Sequence, residues 1–238
     1  IATTRGDVDV VVTEYGIAEL NGKGIYQRVM ELAQIAHPKF REQLIREAKK
    51  RHYIFGDQLP PSNQDLMFLE KYKAHIELKN GKTVEFRPLM PSDEFATRNF
   101  YYSLQESTVF YRFFYKRKVF SREMLQNQWA AVDYHQNMTL IGIIQRGKHK
   151  EIVAISSYGS AEEKDLAEVA LVVKEDYQGM GLGSYMLLML EKIARENKYK
   201  GFTAILLSEN KAMIRVFEKH YPNAEIKRGF SDEVEIRM

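Results

Sequence analysis

The segment Gln178-Gly179-Met180-Gly181-Leu182-Gly183 lies between an alternating apolar stretch, 166–173, and a long amphipathic stretch, 183–197. Alternation predicts a β-strand, and apolar residues at helical spacing predict an α-helix. Glycines in the turn between them allow the backbone to approach an anion closely. The first N–H groups of the helix have no partners within it, and the helix dipole is positive there. The sequence therefore predicts a phosphate or pyrophosphate site at the start of this helix.

The hydrophobic pattern on either side of this turn predicts further strands and helices. Asn80-Gly81 separates two alternating stretches and predicts a β-hairpin over 75–89, because both turn residues accept positive φ. Pro91 opens an aromatic-rich helical region that runs to about residue 132. Other strands are predicted at 8–13, 138–145, 151–158, 202–207, 225–227 and 234–238, and other helices at 24–36, 38–51 and 211–221. This succession of strands and helices along the chain predicts an α/β fold.

Composition narrows the class of protein. The 238 residues are 45% hydrophobic and 28% charged, and no apolar run approaches the roughly 18 residues of a membrane span, so a cytoplasmic protein without membrane contact is expected. The absence of cysteine excludes disulfides, thiolate metal sites and thiol catalysis. The six histidines have no metal-binding spacing, so no metal is predicted. A formal charge of +3 is too small to indicate nucleic-acid binding.

A wider pattern around the glycine turn identifies a family resemblance. A strand precedes Tyr177-Gln178-x-x-Gly181-x-Gly183, a long helix follows, and the next strand ends in Ser208-Glu209-Asn210 before another helix. This order resembles the GNAT family of acetyl-CoA-dependent N-acetyltransferases over roughly 83–238. The resemblance implies a mixed, mostly antiparallel sheet with helices on both faces, splayed at the strand before the glycine turn. It also implies acetyl-CoA as the cosubstrate.

Shorter strings within the same region resemble bacterial protein lysine acetyltransferases. That narrower resemblance implies that the acceptor amine is a protein lysine. Two alternatives stay open: acetylation of a small-molecule amine, and a non-catalytic domain that senses acetyl-CoA and regulates a fused CoA-transferase. The strings are Phe86-Arg87-Pro88-Leu89, Glu106-Ser107, Arg112-Phe113-Phe114, Asp133-Tyr134, Ala167-Glu168-Val169-Ala170 and Ser208-Glu209-Asn210-Lys211-Ala212-Met213.

The resemblance also implies which residues bind the cofactor. The glycine turn, Gln178, Gly179, Met180, Gly181, Leu182 and Gly183, with Ser184 after it, would hold the pyrophosphate of coenzyme A. The end of the preceding strand, Leu171, Val172 and Val173, would offer backbone groups to the pantetheine and to the thioester carbonyl, where a hydrogen bond stabilises the developing oxyanion. Asn210 would bind the pantetheine arm or cap the helix that follows it, and both roles are compatible.

Glu168 is the candidate catalytic residue. A lysine amine has an unperturbed pKa near 10.4, so it must lose a proton before it can attack a thioester. The resemblance implies that a glutamate on the strand leading to the glycine turn acts as the general base. Strand alternation leaves a second reading open, in which Glu168 points to solvent beside the acidic turn at 162–165.

Three aromatic features bear on the rest of the site. Many GNAT enzymes have a tyrosine general acid seven positions after the asparagine, and this chain has Phe217 there. Tyr221 lies close in sequence, and packing or a helix end accounts for it better.

Helical spacing places Phe110, Phe113 and Phe114 on one face, which indicates core or the wall of an acceptor cleft instead of stacking on nucleic acid. Arg112, Lys116, Arg117 and Lys118 are expected in solvent.

The first sixty residues carry a second resemblance. The strings 11–18 and 35–41 resemble the C-terminal end of the acetyl-CoA hydrolase and CoA-transferase family, and Glu14 does not correspond to that family's acyl-accepting glutamate. We therefore expect a fragment of such a domain at 1–60, a linker and the first hairpin strand at 61–82, and the acetyltransferase domain at 83–238. The start at Ile1 suggests part of a longer polypeptide. A strand at 8–13 would then lack a partner, which allows for a homodimer.

Overall fold

The structure is a computed structural model that describes residues 4, 6–61, 67–126, 134–147, 149–163, 165–228 and 232–238. Its strands are β1 (Val10–Thr13), β2 (Gly16–Glu19), β3 (Ala74–Glu77), β4 (Thr83–Pro88), β5 (Met138–Arg146), β6 (His149–Ser160), β7 (Leu166–Val173), β8 (Gly201–Leu207), β9 (Glu225–Arg228) and β10 (Glu233–Arg237). Its α-helices are α1 (Ile25–Ile35), α2 (Pro38–Lys50), α3 (Glu94–Tyr102), α4 (Glu106–Phe113), α5 (Arg122–Gln126), α6 (Leu182–Glu196) and α7 (Lys211–His220).

Eight strands form one mixed sheet in the order β3-β4-β5-β6-β7-β8-β10-β9. Every neighbouring pair is antiparallel except β7 and β8, which are parallel. These two pair only where Leu166–Glu168 meets Gly201–Thr203, although β7 continues to Val173 and β8 to Leu207. The sheet therefore opens into a fork beyond Glu168, which confirms the predicted splayed, mostly antiparallel fold.

Helices cover both faces of this sheet, as the sequence predicts. The central strand β5 is buried on both sides, because Leu140 packs into the core under α6 and α7 while Ile141 packs into the core under α3. The second core also receives Met30 from α1 and Ile45 from α2. The N-terminal segment thus shares a hydrophobic core with the large sheet.

Buried polar contacts strengthen the junction between the N-terminal segment and the rest of the chain. The Tyr26 hydroxyl on α1 lies 2.9 Å from Oε2 of Glu94, which is almost fully buried at the start of α3. Arg122 Nε donates to the other carboxylate oxygen of Glu94 at 2.6 Å. Burial and the adjacent carboxylate raise the pKa of Tyr26, so this hydroxyl stays a donor at neutral pH.

One prediction of local structure was wrong, and another is refined by the structure. The strand expected at 8–13 without a partner pairs with β2, from Val10 opposite Glu19 to Thr13 opposite Gly16. Its apolar surface is nevertheless exposed at Val10 and Val12. The helical region expected from Pro91 to about residue 132 is helical in its described part, where it is divided into three helices, and α4 ends where Phe114 takes a left-handed conformation with φ 64°. Residues 127–133, which include Asp133, lie outside the described residues.

Candidate functional site

The fork between β7 and β8 forms a cleft of about 490 Å³. Its walls come from β7, the glycine turn, the start of α6, the end of β8, α7 and α4. Because β6 pairs with β7 as far as Val173, only the β8 side of β7 is open beyond Glu168. The cleft therefore presents a length of unpaired strand edge beside the start of a helix.

The glycine turn at one end of the cleft has the backbone geometry that glycine permits. Gly179 and Gly181 have φ values of 70° and 87°, and no atom lies within 4 Å of a Cβ built at either position, so backbone conformation is what requires glycine there. Gly181 is the N-cap of α6, and among the described residues no side chain caps this helix. The first i→i−4 hydrogen bond of the helix runs from Tyr185 N–H to the Gly181 carbonyl at 3.0 Å. The N–H groups of residues 182–184 thus precede the helical ladder.

Gln178 connects the glycine turn to the strand before it. Its side-chain Nε2 donates to the carbonyl of Val173, the last residue of β7, at 2.9 Å. The neighbouring Tyr177 is buried, so the segment between strand and turn is fixed at both residues. The position of the turn relative to the open strand edge is therefore defined by contacts within the loop itself.

Glu168 lies where the fork begins. It is the last residue of β7 that pairs with β8, opposite Thr203, and its exposed side chain lines the cleft. Within the described part of the chain, its carboxylate has no hydrogen bond or ion pair. Glu168 is thus exposed to solvent and lines the cleft at the same time, so its position agrees both with a general base and with a solvated carboxylate. A carboxylate here is available to a group entering the cleft.

Asn210 and Phe217 complete the opposite wall on α7. Asn210 Oδ1 accepts a hydrogen bond from Met213 N–H at 3.2 Å, so Asn210 caps the helix, and its side chain also borders the cleft. Phe217 is buried against the cleft. Tyr221 instead donates to Glu191 Oε2 at 2.9 Å on α6, and burial with this bond raises the pKa of its hydroxyl. Its bond to α6 makes Tyr221 a packing residue, as its sequence position indicated.

The structure brings nearly all of the predicted site residues to this one cleft. Met180 is the exception, because it packs against the core under α6, and its sulfur lies 3.7 Å from Asn80 Nδ2. The predicted residues that line the cleft are Glu168, Leu171, Val172, Val173, Gln178, Gly179, Gly181, Leu182, Gly183, Ser184 and Asn210.

Helix α4 forms one wall of the cleft, which is one of the two positions expected for its aromatic face. The expectation that Arg112 lies in solvent away from the cleft was wrong, because this half-buried side chain lines it. Arg117 is also half-buried, with its guanidinium 5.0 Å from the Phe113 ring centroid. The strings Glu106-Ser107 and Arg112-Phe113-Phe114 were the available signal for this wall. Its other described residues are Gln105, Ser107, Thr108, Tyr111 and Phe114.

The described residues contain neither a candidate metal site nor a candidate membrane span. They contain no group of three or more His, Asp or Glu side chains placed to hold a metal ion. None of their helices combines the length and apolar character needed to cross a membrane.

Comparisons with known families match two parts of the chain. Residues 99–221 match the model of the acetyltransferase (GNAT) family, and residues 1–48 match the model of the acetyl-CoA hydrolase/transferase C-terminal domain. The first match covers just over half of the 238 residues. The order of the two matches agrees with the order of the two resemblances in the sequence.

Individual relatives show the same division. Acetyltransferase PA5475 of Pseudomonas aeruginosa is 30% identical over 136 residues, which are 57% of this chain and 73% of that protein. Acetyltransferase Pat of Mycolicibacterium smegmatis is 24% identical over 211 residues, 88% of this chain and 56% of that protein. The 4-hydroxybutyrate coenzyme A transferase of Clostridium kluyveri is 57% identical over 51 residues, 21% of this chain and 12% of that protein.

A solved structure has the same fold. The GNAT domain of S. lividans PAT superposes with a TM-score of 0.61 and 26% sequence identity, covering 71% of this chain and 97% of that domain. The chain thus spans nearly all of a known acetyltransferase domain, about half of the mycobacterial relative and about an eighth of the CoA-transferase.

Proposed function

Because the chain belongs to the GNAT acetyltransferase family, we propose that it transfers the acetyl group of acetyl-CoA directly to the amine of a protein lysine. The observation that carries the proposal is the fork between β7 and β8, with Glu168 at its base and the glycine turn beyond the end of β7. One cleft therefore has an acidic group at one end and an anion-binding turn at the other. This arrangement suits a thioester held between a phosphate anchor and an incoming amine.

The cleft residues fit the chemical groups of acetyl-CoA. The free N–H groups at the start of α6 suit the pyrophosphate, because a helix N-terminus favours negative charge. The open edge of β7, from Leu171 to Val173, offers peptide groups to the pantetheine, and a peptide N–H aimed at the thioester carbonyl stabilises the oxyanion. Asn210 uses its Oδ1 in the helix cap, so its Nδ2 remains a donor for the pantetheine arm.

Glu168 acts on the acceptor in this mechanism. The lysine ammonium gives a proton to the carboxylate, and the neutral amine attacks the carbonyl carbon of the thioester. The new C–N bond forms, the C–S bond breaks, and the thiolate of coenzyme A leaves with a proton taken from water or from the product ammonium. Holding both reactants side by side removes much of the entropic barrier, so no covalent enzyme intermediate is required. Phe217 has no proton to give the thiolate.

Replacing the proposed base tests the catalytic role. Glu168→Gln should lower kcat by roughly 10²–10⁴-fold, the usual contribution of general acid–base catalysis, while the Kd for acetyl-CoA stays within about twofold. Glu162→Gln is the matched control, because Glu162 is an exposed carboxylate six positions upstream that does not line the cleft. A Glu168→Gln variant that turns over at the wild-type rate would remove Glu168 from the mechanism.

The acceptor is tested by exposing candidate proteins and polyamines to isotopically labelled acetyl-CoA and locating the label by mass spectrometry. Label on lysine side chains supports the proposal. Label on polyamines alone would make the chain a small-molecule acetyltransferase. Tight binding of acetyl-CoA with no labelled amine would favour the sensor, a reading to which the apolar Phe217 in the cleft wall also lends support.

A further inference from the structure

Arg112, the cationic side chain in the α4 wall, has no acidic partner among the described residues. Arg112 lines the cleft from α4 and is half-buried. Its guanidinium carbon lies 5.2 Å from the Phe113 ring centroid, and no carboxylate of the described residues lies within 4.0 Å of it. By contrast, Arg87 is paired with Asp93 at 2.6 Å, and Arg122 with Glu94 at 2.6 Å. Arg112 therefore has charge-assisted hydrogen-bonding capacity that the described part of the chain leaves unused.

Arg112 lies near the C-terminal end of α4, whose N-terminal end is anchored close to the glycine turn. The N-terminal end of the helix is fixed near the glycine turn, because Gln105 N–H donates to Glu175 Oε1 at 2.9 Å and Glu175 precedes that turn by only a few residues. Arg112 follows Gln105 by seven residues, a rise of about 10 Å along a helix. It therefore lies about two helical turns from the residue that contacts Glu175, and it lines the same cleft as Glu168.

A lone guanidinium in this position opposes binding of a simple amine. An acceptor lysine arrives as an ammonium, which Glu168 attracts and Arg112 repels. The repulsion is offset when the acceptor carries a negative group of its own beside the amine. A carboxylate is the matching group, because the planar guanidinium fork binds it through two parallel hydrogen bonds.

We propose that Arg112 is a specificity residue that binds a carboxylate of the acceptor, so that the preferred substrate is a lysine with an acidic residue next to it in the chain. The inference rests on the proposed lysine acetyltransferase function. Glu168 would then attract the ammonium of the acceptor lysine, and Arg112 would bind the neighbouring carboxylate.

Matched peptides test the preference. Three peptides differ only at the residue after the lysine, which is Glu, Gln or Lys. The wild type should show a kcat/KM about fivefold higher for the Glu peptide than for the Gln peptide, as expected for a partly solvated charge pair. Arg112→Gln should abolish the difference, and Arg112→Glu should favour the Lys peptide instead. Lys116→Gln, which removes an exposed cation outside the cleft four residues away, should keep the wild-type preference.

The outcomes separate this inference from the proposed function. Equal kcat/KM values for the Glu and Gln peptides, or a preference that survives in Arg112→Gln, would overturn the role of Arg112 and leave lysine acetylation intact. Fluorescence anisotropy of the same peptides on the enzyme with coenzyme A supplies a readout without turnover. Arg112-dependent binding of the Glu peptide without any acetylation would overturn the proposed function, and with it the substrate preference, and would leave Arg112 as a carboxylate-binding residue only.

A further pair of acceptors distinguishes the source of the carboxylate. Nα-acetyl-lysine and its amide differ only in the terminal carboxylate. If the free acid is preferred through Arg112 while the Glu and Gln peptides react alike, the acceptor is a small amino acid, and the proposal of an acidic neighbour in a protein fails.

Discussion

Asn210 has a structural role that can be separated from its proposed role in cofactor binding. Its Oδ1 caps α7 through the Met213 N–H. Asn210→Ala should lower the free energy of unfolding by about 1 kcal/mol, the usual effect of losing an N-cap. Asn210→Asp keeps the cap but has no Nδ2 donor, so we expect near wild-type stability with a weaker affinity for acetyl-CoA. Urea unfolding and calorimetric titration measure the two effects, and an Asp variant with wild-type affinity would confine Asn210 to capping.

Tyr221 provides a test of pH dependence. Burial and the bond to Glu191 raise the pKa of the folded hydroxyl above its ordinary value of 10.0. Its contribution to stability is therefore complete below pH 10 and is lost as pH rises toward the folded pKa. Tyr221→Phe should lower stability by about 1 kcal/mol at pH 8, through loss of one hydrogen bond, and should reduce the decline in stability above pH 10.

Activity of the same variant decides whether Tyr221 takes part in the reaction. Because its hydroxyl is bonded to α6 and it does not line the cleft, kcat at pH 8 should be unchanged in Tyr221→Phe. A large loss of kcat with acetyl-CoA affinity preserved would make Tyr221 the general acid that Phe217 cannot be.

Individual site residues differ in how far the sequence could predict their positions. Glu168 and Asn210 lie on or beside elements with clear patterns, and the resemblance to the GNAT family implied that both belong to one cleft. The position of Arg112 depended on the contact between Gln105 and Glu175, which are seventy positions apart. No local pattern encodes such a contact, and a charged side chain on a short helix is ordinarily solvated.

At the scale of elements, the second and third glycines of the glycine turn should respond differently to alanine. Gly181 has positive φ, so Gly181→Ala should destabilise the fold by about 1–2 kcal/mol and weaken acetyl-CoA binding. Gly183 lies within α6, and a Cβ there meets no atom within 4 Å. Gly183→Ala should keep binding and stabilise the helix by up to about 1 kcal/mol. Thermal unfolding with and without acetyl-CoA measures both variants, and equal destabilisation by the two would contradict the geometry.

Periodicity identified the long elements well and the short ones poorly. The helix after the glycine turn was predicted at 183–197 and observed at Leu182–Glu196. The hairpin of β1 and β2 was missed because its strands have four residues each and its turn, Glu14-Tyr15, lacks the Asn-Gly signal that identified the next hairpin. The insertion of β10 between β8 and β9 depends on long-range pairing, which no short-range pattern specifies.

At the scale of the whole molecule, the N-terminal segment and the acetyltransferase fold are physically continuous. Met30 from α1 is fully buried in the same core as Phe100 of α3 and Ile141 of β5. Glu94 joins the two parts through Tyr26 and Arg122. Sequence resemblance to two families indicates two evolutionary units, and the shared core indicates that they unfold together.

A buried substitution far from the cleft tests this continuity. Met30→Ala should lower the free energy of unfolding by about 2–5 kcal/mol, as is usual for a large-to-small change in a core. Leu32→Ala on the same helix is the control, because Leu32 is 38% exposed and its truncation should have a much smaller effect. Urea unfolding followed by far-UV circular dichroism should remain a single transition at a lower midpoint in Met30→Ala. Acetyl-CoA at 100 times its Kd should stabilise that whole transition by about 2.7 kcal/mol. If Met30→Ala instead splits the curve into two steps, only one of which responds to acetyl-CoA, the N-terminal segment and the acetyltransferase fold are independent folding units.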